Sequence, residues 1–192
     1  LSYGENSATL AIAYDLLHGE LSAAEFPGLA AKLGTVVEFR WREQINEMSQ
    51  SEATPLNRLK IEVDEFTKQF GSSKFAAEAQ RRLEARMVRH LGLTETQGGA
   101  ALAAYTDEYL DFARRFPSSA SQAEVKGAFV GRCAAVLPGL EAKNDDEHAR
   151  YSACWEACFA AAKGRPEYDR LKTAQAAFLA GEKKVVRLES LG

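Results

Sequence analysis

Apolar residues recur at helical spacing through the middle of the chain. Between residues 102 and 116 they stand three or four positions apart, at Leu102, Tyr105, Tyr109, Phe112 and Phe116. Because an α-helix completes a turn every 3.6 residues, this spacing places them on one side of a helix. A second run follows at Val125, Phe129, Cys133, Val136 and Leu137. The pattern predicts two helices, each with a face that it cannot bury alone.

A break separates these two helices. Pro117 disfavours helical geometry in the residue before it, and the side chains of Ser118 and Ser119 can accept hydrogen bonds from the start of the following helix. Pro138 and Gly139 end the second helix. The segment is therefore predicted to be a helical hairpin.

The same hairpin pattern occurs 46 residues upstream. Its first helix carries Leu56, Leu59, Val63, Phe66 and Phe70, and its second carries Ala79, Leu83, Met87, His90 and Leu91. The turn between them reappears as Gly71-Ser72-Ser73. Repetition at a fixed interval is typical of hairpins that stack and bury their apolar faces on one another.

Two outer copies match less well. The downstream copy has His148, Tyr151, Trp155, Cys158 and Ala162, then Leu171 and Leu179, with Gln175 and Glu182 at positions where apolar residues are expected. The upstream copy has Leu10, Ala13 and Leu17, then Leu33, Val37, Trp41 and Ile45. Terminal repeats commonly differ because one of their faces meets solvent.

The sequence thus predicts an all-α fold, an α-solenoid of about four stacked hairpins. The hairpins are placed at about residues 7–49, 55–92, 97–138 and 145–183 of a single domain, 1–192. Gly34 is expected to interrupt the long helix of the first hairpin, and Thr94-x-x-Gln97 resembles a capping box at the start of the third. A closed helical bundle is the alternative architecture.

Composition narrows the functional classes. A net charge of −3 and an isoelectric point near 5.7 indicate no basic surface for nucleic acid. No apolar run approaches the roughly 20 residues of a membrane span. Because the sequence begins at Leu1 rather than methionine, we expect a processed chain or a piece of a longer one. The compartment stays open between bacterial cytoplasm and periplasm.

Few residues are suited to catalysis or metal binding. The chain has three histidines and neither a Gly-x-Ser-x-Gly motif nor a Gly-rich phosphate loop, so we expect no enzyme. Cys133, Cys154, Cys158 and His148 could nominally form a zinc site. However, Cys133 and Cys158 occupy apolar stripe positions, where a free cysteine packs as a small hydrophobic side chain.

Two Asp-x-x-His pairs, Asp15/His18 and Asp145/His148, share a helix face in the way that dimetal bundles use. In a solenoid the two pairs would lie repeats apart and could not form one site. The sequence therefore predicts no metal and no cofactor.

Arg82, Arg86 and Arg89 form a basic stripe along the second helix of the upstream hairpin. One interpretation is a solvated helix face with pairs such as Glu78/Arg82. The other is a docking strip for an acidic or phosphorylated peptide. These three arginines are the predicted partner-binding residues.

The turn motifs suggest a family. Phe66-x-x-x-Phe70-Gly-Ser-Ser followed by Ala76-x-Glu78-Ala79-x-x-x-Leu83, and Phe112-x-x-x-Phe116-Pro-Ser-Ser followed by Ala123-Glu124, resemble tetratricopeptide-type repeats of bacterial envelope proteins. The interval of 46 residues is longer than the ~34 of that repeat and near that of HEAT and armadillo units. The resemblance implies a superhelical adaptor that binds proteins and has no catalytic residues.

The expected function is therefore a non-catalytic scaffold that presents a helical-repeat surface to a peptide or protein partner. The alternatives are a metal-binding or enzymatic helical bundle, and a structural spacer in a larger protein.

Overall fold

A computed structural model describes residues 27–189, and in that range the all-α prediction is confirmed. The elements are α1 (Pro27–Gln50), α2 (Leu56–Gln69), α3 (Ala76–Leu93), α4 (Gly99–Arg115), α5 (Gln122–Val136), a 3₁₀ turn (Leu137–Gly139), α6 (Asp145–Ala162) and α7 (Glu167–Glu189). Residues 27–189 contain no strand, and no helix there is long and apolar enough to cross a membrane. The predicted helix near residues 7–18 lies outside the described range.

The chain divides into two compact units, residues 1–83 and 84–192, with the boundary inside α3. In the first unit α1 packs on α2. The Trp41 ring meets the rings of Phe66 and Phe70 edge-on, at centroid distances of 5.8 and 6.0 Å. Its Nε1 donates to a carboxylate oxygen of Glu62 at 2.9 Å. The predicted stripe of α2 is confirmed, because its first four members are buried and Phe70 is half-buried.

The predicted interruption at Gly34 is wrong, since α1 continues through it. A glycine inside a helix costs about 1 kcal/mol relative to alanine, which is too little to end a helix of this length.

In the second unit, each helix from α4 onward packs on the next helix along the chain, and α4 and α5 also pack on the helix after that. Helix α4 packs on α5 and α6, α5 packs on α6 and α7, and α6 packs on α7. Tyr109 and Phe129 stack with centroids 4.0 Å apart, and Trp155 and Cys158 are buried nearby on α6. The predicted stripes of α4 and α5 are confirmed, with Phe116 and Val136 half-buried at their ends.

The stripe prediction is less accurate at other positions. His90 and His148 are only half-buried. The prediction that Leu179 is a core residue is wrong, because 43% of its surface is exposed.

The turn between paired helices keeps its hydrogen bonds at the 46-residue interval. The amide of Ser73 donates to the Phe70 carbonyl at 2.9 Å, and the amide of Ser119 donates to the Phe116 carbonyl at 3.0 Å. In the third turn the amide of Arg165 donates in the same way to Ala162, at 2.8 Å. Three residues later, the amides of Ala76, Gln122 and Tyr168 donate to the carbonyls of Ser73, Ser119 and Arg165. The sequence repeat is therefore also a repeat of local backbone structure.

The sequence predicted that the turn serines cap the first turn of the following helix, but Ser73 and Ser119 bond within the turns instead. The hydroxyl oxygens of Ser73 and Ser119 each accept a hydrogen bond, at 3.0 Å, from the amide two residues later. Each satisfies a backbone donor just before its helix begins.

The predicted capping box at Thr94 does not form. The Thr94 hydroxyl instead donates to the His90 carbonyl at 2.7 Å, and α4 begins later, after Gly98. Gly98 has a φ of 82°, which favours glycine. A Cβ at Gly99 would lie 2.2 Å from the Tyr151 ring, so this glycine permits close packing of α4 on α6.

Helix α6 begins with a side-chain cap and acidic residues. The side chain of Asn144 accepts from the Glu147 amide at 2.9 Å, and the Glu147 carboxylate accepts from the Lys143 amide just before the helix. The carboxylates of Asp145, Asp146 and Glu147 compensate the positive dipole end of the first turn.

Two core phenylalanines test this packing. Phe66→Ala and Phe112→Ala should each lower the free energy of unfolding by about 3–5 kcal/mol, because both side chains are fully buried. Ile61→Ala and Leu110→Ala are matched controls on the exposed faces of the same helices and should stay within about 0.5 kcal/mol of wild type. Equilibrium urea unfolding measures all four. A loss below about 1 kcal/mol in either phenylalanine variant would contradict the packing described here.

Candidate functional site

The three predicted partner-binding arginines differ in exposure. Arg82 is half-buried and pairs with Glu78, with 3.1 Å between guanidinium nitrogen and carboxylate oxygen, as the alternative interpretation of this stripe predicted. Arg86 is buried, with 4% of its surface exposed, whereas Arg89 is exposed. The arginines therefore do not form one exposed strip, and their role in partner binding stays a prediction.

The nominal metal ligands lie in different surroundings. Cys133, Cys154 and Cys158 are buried as free thiols between α4, α5 and α6, whereas His148 is half-buried near the start of α6. Asp145 is exposed, and Asp15 and His18 lie outside the described residues. Within the described part of the chain, no three ligating side chains are grouped so that they could hold a metal ion.

Burial governs the chemistry of the thiols. A hydrogen bond with Cys158, together with burial, raises the pKa of the Cys133 thiol. Burial also raises the pKa of Cys154, and the Thr106 hydroxyl, 3.5 Å from its sulfur, opposes that shift. All three cysteines are buried, where a free thiol packs as a small apolar side chain.

A half-buried polar contact joins α3, α4 and α5 within the second unit. The Arg132 guanidinium donates to the carbonyls of Leu91 and Gly92 at 2.7 and 2.9 Å. It also donates to the Tyr105 hydroxyl, and its carbon lies 4.6 Å from the centre of the Tyr105 ring. A helix leaves its last carbonyls without partners, and a cation there is favourable to the helix dipole. We call this arrangement the Arg132 clamp.

The sequence repeat contained a signal for this clamp that the stripe analysis missed. Arg86 and Arg132 are 46 residues apart and occupy equivalent positions of the repeat. An arginine that recurs at the repeat interval, with its surface largely covered, indicates a structural role rather than one face of a docking strip. The next equivalent position holds Phe178, which changes the chemistry there.

An open groove lies at this third position, bounded by the end of α5, the connection to α6, the start of α6 and one side of α7. Its volume is about 1190 Å³. Its apolar lining includes Ala134, Pro138, Leu140, Leu171, Ala174, Ala177 and Phe178. Its polar lining includes Glu141, Lys143, Asp145, His148, Glu167 and Arg170. We call it the Phe178 groove.

The aromatic part of the groove is ordered by stacking. The His148 and Phe178 rings are nearly parallel, 6° apart in orientation, with centroids separated by 5.7 Å. Phe178 also approaches the buried Trp155 ring, at 6.2 Å. These contacts hold α7 against α6 and give the groove a preformed aromatic wall.

The charges of the lining favour an electropositive ligand. Three carboxylates and two cationic side chains line the groove, and one oxygen of Glu167 is buried without a hydrogen-bond partner among the described residues. A buried acceptor left without a donor is unfavourable, and a ligand that supplies one would relieve that cost. The small alanine side chains leave space for such a ligand.

Comparison of the chain with protein families, with curated proteins and with solved structures found no match. The functional argument therefore depends on the geometry of the second unit.

The Arg132 clamp is open to a direct stability test. Arg132→Met should lower the free energy of unfolding by about 2–3 kcal/mol, because it removes charged hydrogen bonds and leaves two helix-end carbonyls unpaired. Arg132→Lys should recover little, since an ammonium cannot reproduce the planar fork of a guanidinium. Arg150→Met, at an exposed arginine of α6, is the matched control and should change stability by less than about 0.5 kcal/mol. Urea unfolding that shows Arg132→Met to be as stable as wild type would refute the clamp.

The raised thiol pKa values predict a loss of stability in alkaline solution. In the unfolded chain a thiol ionises near pH 8.5, whereas the folded protein keeps Cys133 and Cys154 protonated to higher pH. Their contribution is therefore fully present below about pH 8 and declines as the pH rises further, and for Cys133 the slope approaches about 1.4 kcal/mol per pH unit only above about pH 9.5.

Urea unfolding at pH 7–9.5 under reducing conditions, followed by tryptophan fluorescence, measures this slope. Cys133→Ala should remove a loss of about 1.4 kcal/mol in total between pH 7 and pH 9.5. Val130→Ala, a neutral core substitution in the same helix, should lower stability without changing the slope. Equal slopes in Cys133→Ala and wild type would show that Cys133 titrates alike in both states.

Proposed function

We propose that this chain is a non-catalytic scaffold whose stacked helical hairpins bind a peptide or protein partner, and that the Phe178 groove is the docking site. The observation that carries the proposal is the groove itself, about 1190 Å³ of open space with helical walls and a mixed apolar and charged lining. A volume of this size accommodates several side chains of a bound segment.

The lining has the character of a recognition surface. Alanines on α7 leave room beside Phe178, and apolar side chains such as Leu140 and Leu171 supply contact area. Charged groups at Glu141, Lys143 and Arg170 can orient a partner and select among sequences. Helix-walled grooves of this kind bind short helices or extended peptides through a few anchor side chains.

The stacked, tetratricopeptide-like arrangement is part of the same proposal. It is supported by the turns that repeat their hydrogen bonds every 46 residues, and by the contacts of α4 and α5 with both the next helix and the one after it. In stacked hairpins each unit contacts its neighbours and leaves one long surface for a partner.

Peptide selection tests the docking site. A random peptide library displayed on phage should yield sequences that bind the wild-type protein. Ala177→Trp should weaken their binding at least tenfold, because the indole would fill the space beside Phe178. Ala176→Trp is the matched control: its position is also exposed on α7 but does not line the groove, and binding should be unchanged.

Circular dichroism and thermal melting of both variants separate lost binding from lost folding. If no peptide is selected, or if Ala176→Trp and Ala177→Trp weaken binding equally, the groove is not the docking site.

A further inference from the structure

The Phe178 groove occupies the position in its repeat that the Arg132 clamp occupies one repeat earlier. The residues that lie 46 positions after Arg132, Gly92 and Tyr105 are Phe178, Pro138 and Tyr151, respectively. Pro138 and Phe178 both line the groove. The repeated hydrogen bonds of the preceding turns show that this correspondence is structural as well as sequential.

In the earlier repeat, a guanidinium fills this position. It pairs with the last carbonyls of α3 and covers an aromatic ring of α4. In the later repeat the equivalent position holds Phe178 instead of an arginine, and its ring stacks on the His148 ring. The helix end formed by α5 and its 3₁₀ turn also has a negative dipole end, although the carbonyl of Leu137, the residue equivalent to Leu91, already accepts from the Leu140 amide at 3.2 Å.

The neighbouring charges reinforce that attraction. Glu167 lines the groove and has one buried carboxylate oxygen without a hydrogen-bond donor among the described residues. Glu141 and Asp145 add two further carboxylates, against Lys143 and Arg170. The positive dipole end of α6 is already compensated by its own cap at Asn144 and its acidic first turn.

We infer that the Phe178 groove binds an arginine side chain of a partner peptide, which takes the place that Arg132 takes in the preceding repeat. This inference rests on the proposed function and names the ligand chemistry of the same site. Arginine suits the groove better than lysine, because its planar guanidinium can pair with a carboxylate in two hydrogen bonds and stack against an aromatic wall.

The probe is a capped tripeptide, alanine–arginine–alanine, titrated into the full chain and followed by NMR. The chain has three histidines, so the imidazole signal of His148 can be assigned with a His148→Gln variant, and His90, which does not line the groove, serves as an internal control. We expect a saturable shift of the His148 signal with little change at His90. The same peptide with citrulline, a neutral isostere of arginine, should bind at least tenfold more weakly.

Two variants localise the interaction. Glu167→Gln should weaken binding of the arginine peptide at least threefold. Glu156→Gln, at an exposed carboxylate of α6 outside the groove, should leave that binding unchanged. Phe178→Arg should supply the guanidinium from the chain itself and therefore weaken binding of the arginine peptide at least tenfold. Should Phe178→Arg fail to fold, the Glu167→Gln and citrulline comparisons still decide the matter.

The outcomes separate this inference from the proposed function. Equal binding of the arginine and citrulline peptides would overturn the arginine site while leaving a docking groove. Absence of any His148 shift would also overturn it, and the library selection with Ala177→Trp then decides separately whether the groove docks a peptide at all. A His148 shift that depends on protein concentration without peptide would place a second copy of the chain in the groove and overturn the inference.

Discussion

The need of each helix to bury one apolar face governs this structure. Helices with a single apolar stripe are stable only when another stripe covers them, so the chain folds as successive hairpins whose faces meet. The Tyr109–Phe129 stack in one unit and the edge-on contacts of Trp41 with Phe66 in the other are local forms of the same requirement. The turns between paired helices are short and have matching hydrogen bonds at the 46-residue interval.

Side-chain differences between equivalent positions of the 46-residue repeat indicate where the chemistry of the copies diverges. Where two copies have the same backbone but different side chains, the change in chemistry is not explained by the fold. Arg132 closes a helix end in one copy, whereas Phe178 at the equivalent position stacks on His148 and leaves a groove beside it. The same interval places His148 where the earlier copy has the buried Leu102. The Phe178 groove thus lies where the last described hairpin departs from the one before it.

The errors of the sequence analysis have a common physical origin. Helical periodicity reports which face of a helix is apolar, but not whether a polar residue on that helix has a partner elsewhere. Arg86 was therefore grouped with Arg82 and Arg89 by spacing, although its side chain is buried. Gly34 and the Thr94 motif were judged by local preference, which amounts to about 1 kcal/mol and yields to the surrounding structure.

The sequence by itself determined the helical class, the positions of the turns and most of the core. These features depend on the spacing of apolar residues along the chain and on their burial away from water. The stripes of α2 and α4, and the turns at Ser73 and Ser119, could all be read in this way. Tertiary structure alone decided that Arg132 reaches the end of α3, that Gly99 admits the Tyr151 ring, and that a groove opens beside Phe178. Each of these depends on the distance between segments far apart in the chain, and periodicity along one helix carries no information about that distance.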